Sequence, residues 1–298
     1  MTAGSQALMD CTLLLATPVS REEFERACER VPRSDYIAHV VGDNPEGAWN
    51  SSYANVVRAA QELIATAEEL GAVIYREARL QDFAQATANA RVVILSAHFR
   101  GFDFVEEDLI ASREDLIRAI ETRAHPVLGY FRSRLSQPES WVDVLNEAVM
   151  NRDLLSYLPS TLRDAGELST TIGRVLCRDL LDEALQGLVK PGNQVDFVDG
   201  LYTLGAVEAA IAKGFSGELD LALCNSDALG TYIDLSRGNQ VHHMHWPDLI
   251  DPVPQFLLIA ETLRRLSRSG GFYITARMNL ESEMLELDGR THENRRHP

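Results

Sequence analysis

The sequence has no long apolar run, little positive charge and few cysteines, and each shortage excludes a class of protein. No apolar stretch approaches the roughly 18–20 residues that a membrane span requires, so no membrane partner is expected. The strongest N-terminal candidate, residues 11–19, is too short and has no positive side chain before Arg21, which argues against a secretory signal. We therefore expect a cytoplasmic protein.

Positive charge is in deficit. Lysine and arginine number 28 against 44 aspartates and glutamates, which gives a formal net charge of −16. A surface that binds polyphosphate is usually basic, so nucleic acid is not an expected partner. The acidic surface favours cationic ligands such as Lys- or Arg-bearing peptides, although the same charge also serves simply to keep a protein soluble.

The four cysteines, Cys11, Cys28, Cys177 and Cys224, form no CxxC pair, which excludes a zinc ribbon or thioredoxin motif. In a reducing compartment they are free thiols, and one of them is a candidate for chemistry. Walker, GxSxG, GxGxxG and HExxH motifs are also absent. We therefore expect neither a metal nor a cofactor.

What is present is a globular composition, 45% hydrophobic over 298 residues, in which apolar strand patterns alternate with amphipathic helical patterns. This alternation predicts βαβ units and an α/β fold with a mostly parallel sheet. Residues 92–97 are apolar without alternation, as in a strand covered by helices on both faces. The predicted strands are 12–16, 36–41, 72–75, 91–97, 127–130, 219–224, 240–245 and 272–275, and the predicted helices are 21–30, 52–70, 106–123, 202–213 and 254–267.

Residues 138–193 interrupt the α/β pattern. They form a mostly helical, charged stretch that closes with the turn signal Lys190-Pro191-Gly192-Asn193. We interpret this stretch as a helical insertion or linker between two lobes. The polar residues 286–298 are predicted to form a flexible tail.

Two predicted strands end in residues that carry chemistry. His98 follows the strand at 92–97, and Cys224 closes the strand at 219–224. In open parallel sheets ligands bind at the carboxyl ends of strands, so neighbouring strands would bring the imidazole and the thiol to one crevice. That arrangement suits nucleophilic catalysis, with backbone N–H groups near Cys224 and Gly101 as candidate oxyanion donors. The alternative is an inert strand cysteine and a core histidine.

A second histidine cluster consists of His242, His243 and His245. In a strand, His243 and His245 point to one face and His242 to the other. Only Asp248 lies close enough in sequence to complete a set of metal ligands. A wall of the substrate cleft or an ordinary strand is therefore favoured over a metal site.

The ordered set of these motifs resembles caspase-fold cysteine peptidases of the CHAT type. The resemblance covers residues 88–131 and 194–277: a strand ending in histidine, a strand ending in Cys224-Asn225-Ser226, a Trp246-Pro247 element, a helix and a glycine turn. It implies a caspase-like three-layer α/β sandwich that forms a single domain over residues 1–285. Within that domain it implies a larger lobe (1–137) with the histidine, the linker (138–193) and a smaller lobe (194–285) with the cysteine.

The resemblance also implies an activity, a cysteine endopeptidase with Cys224 as nucleophile and His98 as general acid and base. Family members usually have glycine directly after the histidine, whereas Phe99 and Arg100 precede Gly101 here. An inactive relative that acts as an interaction module therefore stays an alternative, as does an unrelated α/β ligand sensor.

Caspase-fold enzymes are commonly activated by cleavage of their linker, and bacterial relatives often act in defence or signalling cascades. The stretch 138–193 contains four arginines at which the protein itself or an upstream protease would cut: Arg152, Arg163, Arg174 and Arg178. An ordinary helical insertion is the alternative.

The substrates implied are peptides or proteins cut after Arg or Lys, because many bacterial relatives read a basic residue with a buried acid. Asp103, Asp199, Asp227 and Asp248 lie near predicted strand ends, and we prefer Asp227 and Asp248. Taken singly, each of the four is favoured as a solvated or capping aspartate. Trp246 is a candidate floor for the substrate pocket or a core residue.

Overall fold

A computed structural model describes residues 10–30, 33, 35–133, 140–223, 226–245 and 251–294. Trp246, Asp248 and Cys224 lie outside the described residues. The chain divides into two compact units, one formed by Met1–His98 with Val195–Pro298 and the other by Phe99–Gln194. The first unit holds the central sheet.

In chain order the strands are β1 Cys11–Leu15, β2 Val73–Arg76, β3 Val92–Ser96, β4 His98–Arg100, β5 Gln194–Phe197, β6 Gly200–Thr203, β7 Glu218–Ala222 and β8 His242–Met244. The α-helices are α1 Arg21–Glu29, α2 Asp35–Val41, α3 Pro45–Ala48, α4 Ala54–Glu69, α5 Leu80–Asn89, α6 Arg113–Thr122, α7 Leu128–Arg132, α8 Trp141–Met150, α9 Ser160–Leu168, α10 Thr170–Ala184, α11 Leu204–Ala210, α12 Asp227–Arg237, α13 Pro252–Ser269 and α14 Tyr273–Asn294.

The central sheet has five strands in the order β2-β1-β3-β7-β8, and its neighbouring strands run parallel. Every residue of β1, β3 and β7 is buried. Strands buried on both faces are apolar without alternation, because helices cover both sides of a parallel sheet. The prediction of an α/β fold with a mostly parallel sheet is therefore confirmed.

Helices α4 and α13 pack against one face of the sheet. Leu13 and Ile94 share this face, and they contact the apolar sides of both helices around Leu63 and Leu263. Helix α5 packs against β1 and β3, and α11 packs against α5 and α12. Burying a leucine or isoleucine side chain stabilises a fold by about 1.5–3 kcal/mol, so this core holds the two helices against the sheet.

The second unit is helical and has its own apolar core, which includes Phe131, Leu145 and Leu181. It spans Phe99–Gln194, wider than the insertion at 138–193 that composition indicates. Arg178 of α10 is fully buried. Its guanidinium donates to the backbone carbonyls of Asp103 and Lys190 at 3.0 and 2.8 Å. It thereby joins the beginning of this unit to its end.

Three strand predictions are wrong. Residues 36–41 form helix α2, residues 127–130 lie largely in α7, and residues 272–275 open α14. In short apolar runs, periodicity alone does not distinguish a strand from a helix. Helix α14 extends to Asn294, through most of the segment that composition predicts to be a flexible tail.

Candidate active site

The strand before His98 and the strand before Cys224 are hydrogen-bonded neighbours. Strands β3 and β7 run parallel, and Ser96, the last residue of β3, pairs with Ala222, the last residue of β7. His98 and Cys224 therefore each follow the last paired residue of their strand by two positions. Cys224 itself is not described, but Leu223 before it is buried. The two strands are therefore adjacent, as the hypothesis of a shared crevice for His98 and Cys224 requires.

A cavity of about 460 Å³ opens at the carboxyl ends of β1, β3 and β7. This volume is in the range of small-molecule and substrate pockets. Its lining from the strand ends is Thr17, Ser96, Ala97, His98, Ala222 and Leu223. Helices and turns supply Tyr36, Val40, Ser51, Ser52, Tyr53, Asn55, Val56, Asp251, Pro252, Val253, Gln255 and Phe256. The cavity thus occupies the edge of the sheet at which parallel α/β folds bind ligands.

Two tyrosines form the wall beside His98. The rings of Tyr36 and His98 lie 5.2 Å apart between centroids, inclined by 38°. The backbone N–H of Tyr36 donates to Asp196 Oδ2 at 3.2 Å, and the hydroxyl of Tyr53 donates to the carbonyl of Pro18 at 2.9 Å. Burial raises the pKa of Tyr53 well above its ordinary value, so this phenol stays protonated. The wall is therefore aromatic and neutral.

Another wall of the cavity is the N-terminus of α13. Asp251 is its N-cap, and its Oδ1 accepts the backbone N–H of Val253 at 2.9 Å. Pro252 occupies the first turn, where its missing N–H costs no hydrogen bond. Asp251 is the one charged carboxylate among the described lining residues, and no lysine or arginine is among them. The cavity therefore carries a negative group near its mouth.

Behind this wall lies a buried ionic network. The side chains of Asp220 on β7 and Arg277 on α14 are both fully buried, with Arg277 Nε 3.6 Å from Asp220 Oδ2. The hydroxyl of Tyr273 donates to Asp220 Oδ2 at 2.6 Å. Arg277 also donates to the side chain of Gln255, which lines the cavity. Burial raises the pKa of Asp220, and the nearby guanidinium of Arg277 opposes that rise.

The three described cysteines are poor nucleophiles. Cys11, Cys28 and Cys177 are free thiols and all are buried. Burial raises the pKa of Cys11 to about 12 and that of Cys177 to about 11. Burial also raises the pKa of Cys28. Since the thiolate is the reactive form, none of the three is suited to nucleophilic attack at neutral pH.

The other predicted site residues are spread over the molecule. Asp199 Oδ1 accepts the N–H of Leu80 at 3.3 Å, where α5 begins, and Asp227 is the first residue of α12. Neither lines the cavity. Gly101 and Asp103 belong to the helical unit.

Of the lining residues that sequence reasoning missed, Tyr36 and Asp251 matter most for the chemistry of the cavity. Tyr36 was missed because residues 36–41 were predicted to form a strand. That prediction did not place the ring of Tyr36 beside His98. Asp251 could have been found, because Asp251-Pro252 before an apolar periodic run is a helix N-terminus signal. A helix start that follows a sheet strand places its cap near the carboxyl edge of the sheet.

Comparisons with protein-family models, with curated proteins and with solved structures find no significant match to this chain. In the part of the chain that is described, none of the helices combines the length and the apolar character needed to cross a bilayer. Among the same residues, no group of three or more His, Cys, Asp or Glu side chains is placed to hold a metal ion.

Proposed function

We propose that the chain is a caspase-like cysteine endopeptidase in which Cys224 is the nucleophile and His98 the general acid and base. The observation that carries this proposal is the pairing of Ser96 with Ala222, two residues before the histidine and the cysteine, at the edge of a cavity that His98 lines. A thiol near an imidazole loses its proton more readily, and the imidazolium can then protonate the departing amine.

The start of α12 supports the same role for Cys224. Helix α12 begins three residues after Cys224, with Ser226 as its N-cap and the Ser226 hydroxyl donating to the carbonyl of Leu221 at 2.9 Å. A helix N-terminus stabilises a nearby thiolate through its partial positive charge and its unpaired N–H groups. The nucleophile would thus be activated by its own chain segment as well as by His98.

The experiment compares wild type with Cys224→Ala and His98→Ala in a proteome-wide profile of cleavage sites. We expect new N-termini with wild type and none with either variant. Serine in place of Cys224 is the matched control for packing. Cleavage that persists in Cys224→Ala contradicts the proposal, whereas binding of partners without cleavage by folded wild type favours the inactive interaction module.

For the substrate we propose a basic residue before the scissile bond. The lining supports this preference, because Asp251 supplies a carboxylate whose second oxygen can pair with a guanidinium, and none of the described lining residues is a lysine or an arginine. Asp251→Asn is expected to raise KM for arginyl peptides by about tenfold, the value of one charge-assisted hydrogen bond. Cleavage of a peptide panel after Asp or aliphatic residues would overturn the basic preference.

Activation by linker cleavage is the last part of the proposal, and the helical unit limits where it can occur. Arg178 is fully buried, Arg174 lies over the ring of Phe102, and Arg152 donates to the carbonyl of Gly166 at 3.3 Å. Arg163, on the nine-residue α9, is therefore the favoured site. Fragments from wild type and Cys224→Ala incubated with a candidate activator would be mapped by mass spectrometry. A fully active enzyme with an intact chain contradicts this mode of activation.

A further inference from the structure

One side chain of the cavity lining is held from behind by a buried arginine. Gln255, in the first turns of α13, lines the cavity. Its Oε1 accepts a hydrogen bond from the guanidinium of Arg277, whose side chain is fully buried. Arg277 Nε lies 3.6 Å from Asp220 Oδ2, and its Nη1 lies 2.8 Å from Glu281 Oε1. The amide of Gln255 is therefore anchored to a buried ionic network.

The chemistry of the guanidinium decides which end of the Gln255 amide faces it. A guanidinium only donates hydrogen bonds, so the amide atom beside Arg277 must be the oxygen. The other end, Nε2, carries two N–H donors. Among the described residues Nε2 has no protein acceptor, and it is not one of the polar atoms that are buried without a partner. Solvent therefore reaches Nε2, and Gln255 presents its N–H donors to the cavity that it lines.

The backbone at the start of α13 has no donor to offer. A helix usually begins with N–H groups that are free to bind a ligand. Here Pro252 and Pro254 have no N–H. The N–H of Val253 donates to Asp251 Oδ1 at 2.9 Å, and that of Gln255 donates to the carbonyl of Asp251 at 3.4 Å. The side-chain amide of Gln255 is thus the donor that this turn can give to a ligand.

The charge of this wall selects the kind of acceptor that suits the Gln255 amide. Asp251 and Gln255 are four residues apart, so the carboxylate and the amide are neighbours on one side of the helix start. The carboxylate repels an anionic ligand such as a phosphate, and none of the described lining residues is a lysine or an arginine that would offset the repulsion. A neutral acceptor, such as the carbonyl oxygen of a peptide bond, meets no such repulsion.

We propose that Gln255 is a substrate-binding residue whose Nε2 donates to a backbone carbonyl oxygen of a bound peptide, with Arg277 as its positioning residue. This proposal rests on the proposed peptidase function, in which Asp251 pairs with the basic side chain of the substrate. The two neighbouring groups then read different parts of one peptide. Asp251 reads the charge of a side chain, whereas Gln255 reads the main chain that every peptide has.

The first test measures the Kd of two peptides on folded Cys224→Ala protein, so that neither peptide is cut. The peptides are N-acetyl-alanyl-arginine amide and its citrulline analogue, which has nearly the same shape without the charge. When Gln255→Met is added, both Kd values should rise by the same factor, about three- to tenfold for the loss of one hydrogen bond. Asp251→Asn should instead weaken only the arginine peptide.

Two further variants control this measurement. Gln61→Met replaces an exposed glutamine of α4 and should leave both Kd values unchanged. Gln255→Glu keeps an acceptor for Arg277 but has no N–H to donate when it is ionised. It should weaken the citrulline peptide at least as much as Gln255→Met does, and it serves if Gln255→Met does not fold. Circular dichroism confirms the fold of each variant.

The second test follows the side-chain amide of Gln255 by NMR of ¹⁵N-labelled Cys224→Ala protein, with its signals identified by their loss in Gln255→Met. The citrulline peptide should shift these N–H signals. Arg277→Lys keeps a positive charge beside Asp220 but lacks the planar fork that holds the amide, so the shift should become smaller. A purely structural role of Arg277 would leave the shift unchanged. A bound peptide that does not move the Gln255 signals overturns the proposal.

The outcomes separate this proposal from the peptidase. Unchanged Kd values in folded Gln255→Met, with cleavage by the wild type, contradict the amide contact and keep the peptidase. Weakening of the arginine peptide alone also contradicts the amide contact, because both peptides have the same main chain. Equal weakening of both peptides, in a protein whose wild type cuts neither peptides nor proteins, supports the amide contact and contradicts the peptidase.

Discussion

The ring of Tyr36 lies against the imidazole of His98, 5.2 Å away between centroids. Tyr36→Ala should free the imidazole to leave its position and lower kcat/KM for peptide cleavage roughly two- to tenfold, since an aromatic pair contributes about 0.5–1.5 kcal/mol. Tyr36→Phe keeps the ring and is the matched control, with activity close to wild type. Equal activity in folded Tyr36→Ala would show that the contact does not position His98.

Thiol labelling should distinguish Cys224 from the other cysteines. Cys11, Cys28 and Cys177 are buried and their pKa values are raised, so iodoacetamide at pH 7.5 should leave them unmodified in the native protein. Cys224 should be alkylated selectively, and His98→Ala should slow its reaction. Peptide mapping by mass spectrometry gives the modified positions, and in urea all four should react. Equal native labelling of the four thiols is the contrary result.

Removing only one partner of the Asp220–Arg277 ion pair should lower the free energy of unfolding. Arg277→Met leaves a buried carboxylate without its guanidinium, and we expect the free energy of unfolding to fall by about 3–5 kcal/mol. The double variant Asp220→Asn, Arg277→Met should lose less than the sum of the two single losses, because it removes both charges together. Urea denaturation measures all four proteins. Additive losses would mean that the two charges do not interact.

The pH dependence of stability should include a contribution from His245. Burial, and then the neighbouring His243, lower the pKa of His245 below its ordinary 6.5, against the opposing carboxylates of Asp227 and Asp234. The unfolded chain therefore takes up this proton at a higher pH than the folded chain, so stability falls as the pH drops below about 6.5. His245→Gln should flatten the curve between pH 7 and pH 5 in urea denaturation, and His242→Gln should not. An identical slope in both variants contradicts the shift.

The buried Arg178 should resist proteolysis. A protease must bind the side chain of the residue before the cleaved bond, and the side chain of Arg178 is fully buried within α10 whereas that of Arg163 on α9 is only half-buried. Limited trypsin digestion of native protein should therefore spare the bond after Arg178 and cut after Arg163 first. Arg163→Gln is the matched control and should delay the first fragment. Early cleavage after Arg178 would indicate that α10 opens readily.

The sheet could be predicted from the sequence because its three central strands, β1, β3 and β7, are buried on both faces. The run from Val92 to Leu95 is apolar at every position, and β7 departs from an apolar run only at Glu218 and Asp220. Alternation of strand and helix then leads to a parallel sheet, whose carboxyl edge is a ligand site in many folds. Local pattern and tertiary structure agree in these segments.

Where a predicted strand is a helix in the structure, a helix cap or a tertiary contact determines the outcome. Residues 36–41 are apolar and rich in valine, yet Gly42 with φ of 52° ends them as a helix. The backbone N–H of Ile274 donates to the buried carboxylate of Glu218 at 2.7 Å, a contact from β7 that no local pattern contains. The chain of hydrogen bonds from Asp234 through His243 to His245 cannot be predicted from local sequence either, because it needs α12 and β8 side by side.

The helical unit begins and ends at neighbouring points of the backbone, since the N–H of Asn193 donates to the carbonyl of Gly101 at 3.2 Å. A tight turn of a few residues could bridge so short a gap. The ninety or so residues between Gly101 and Asn193 are therefore exchangeable in principle. A shorter, longer or different segment in their place would still let the strands on either side keep their register. Such an exchange would leave the parallel sheet and the cavity at its carboxyl edge unchanged.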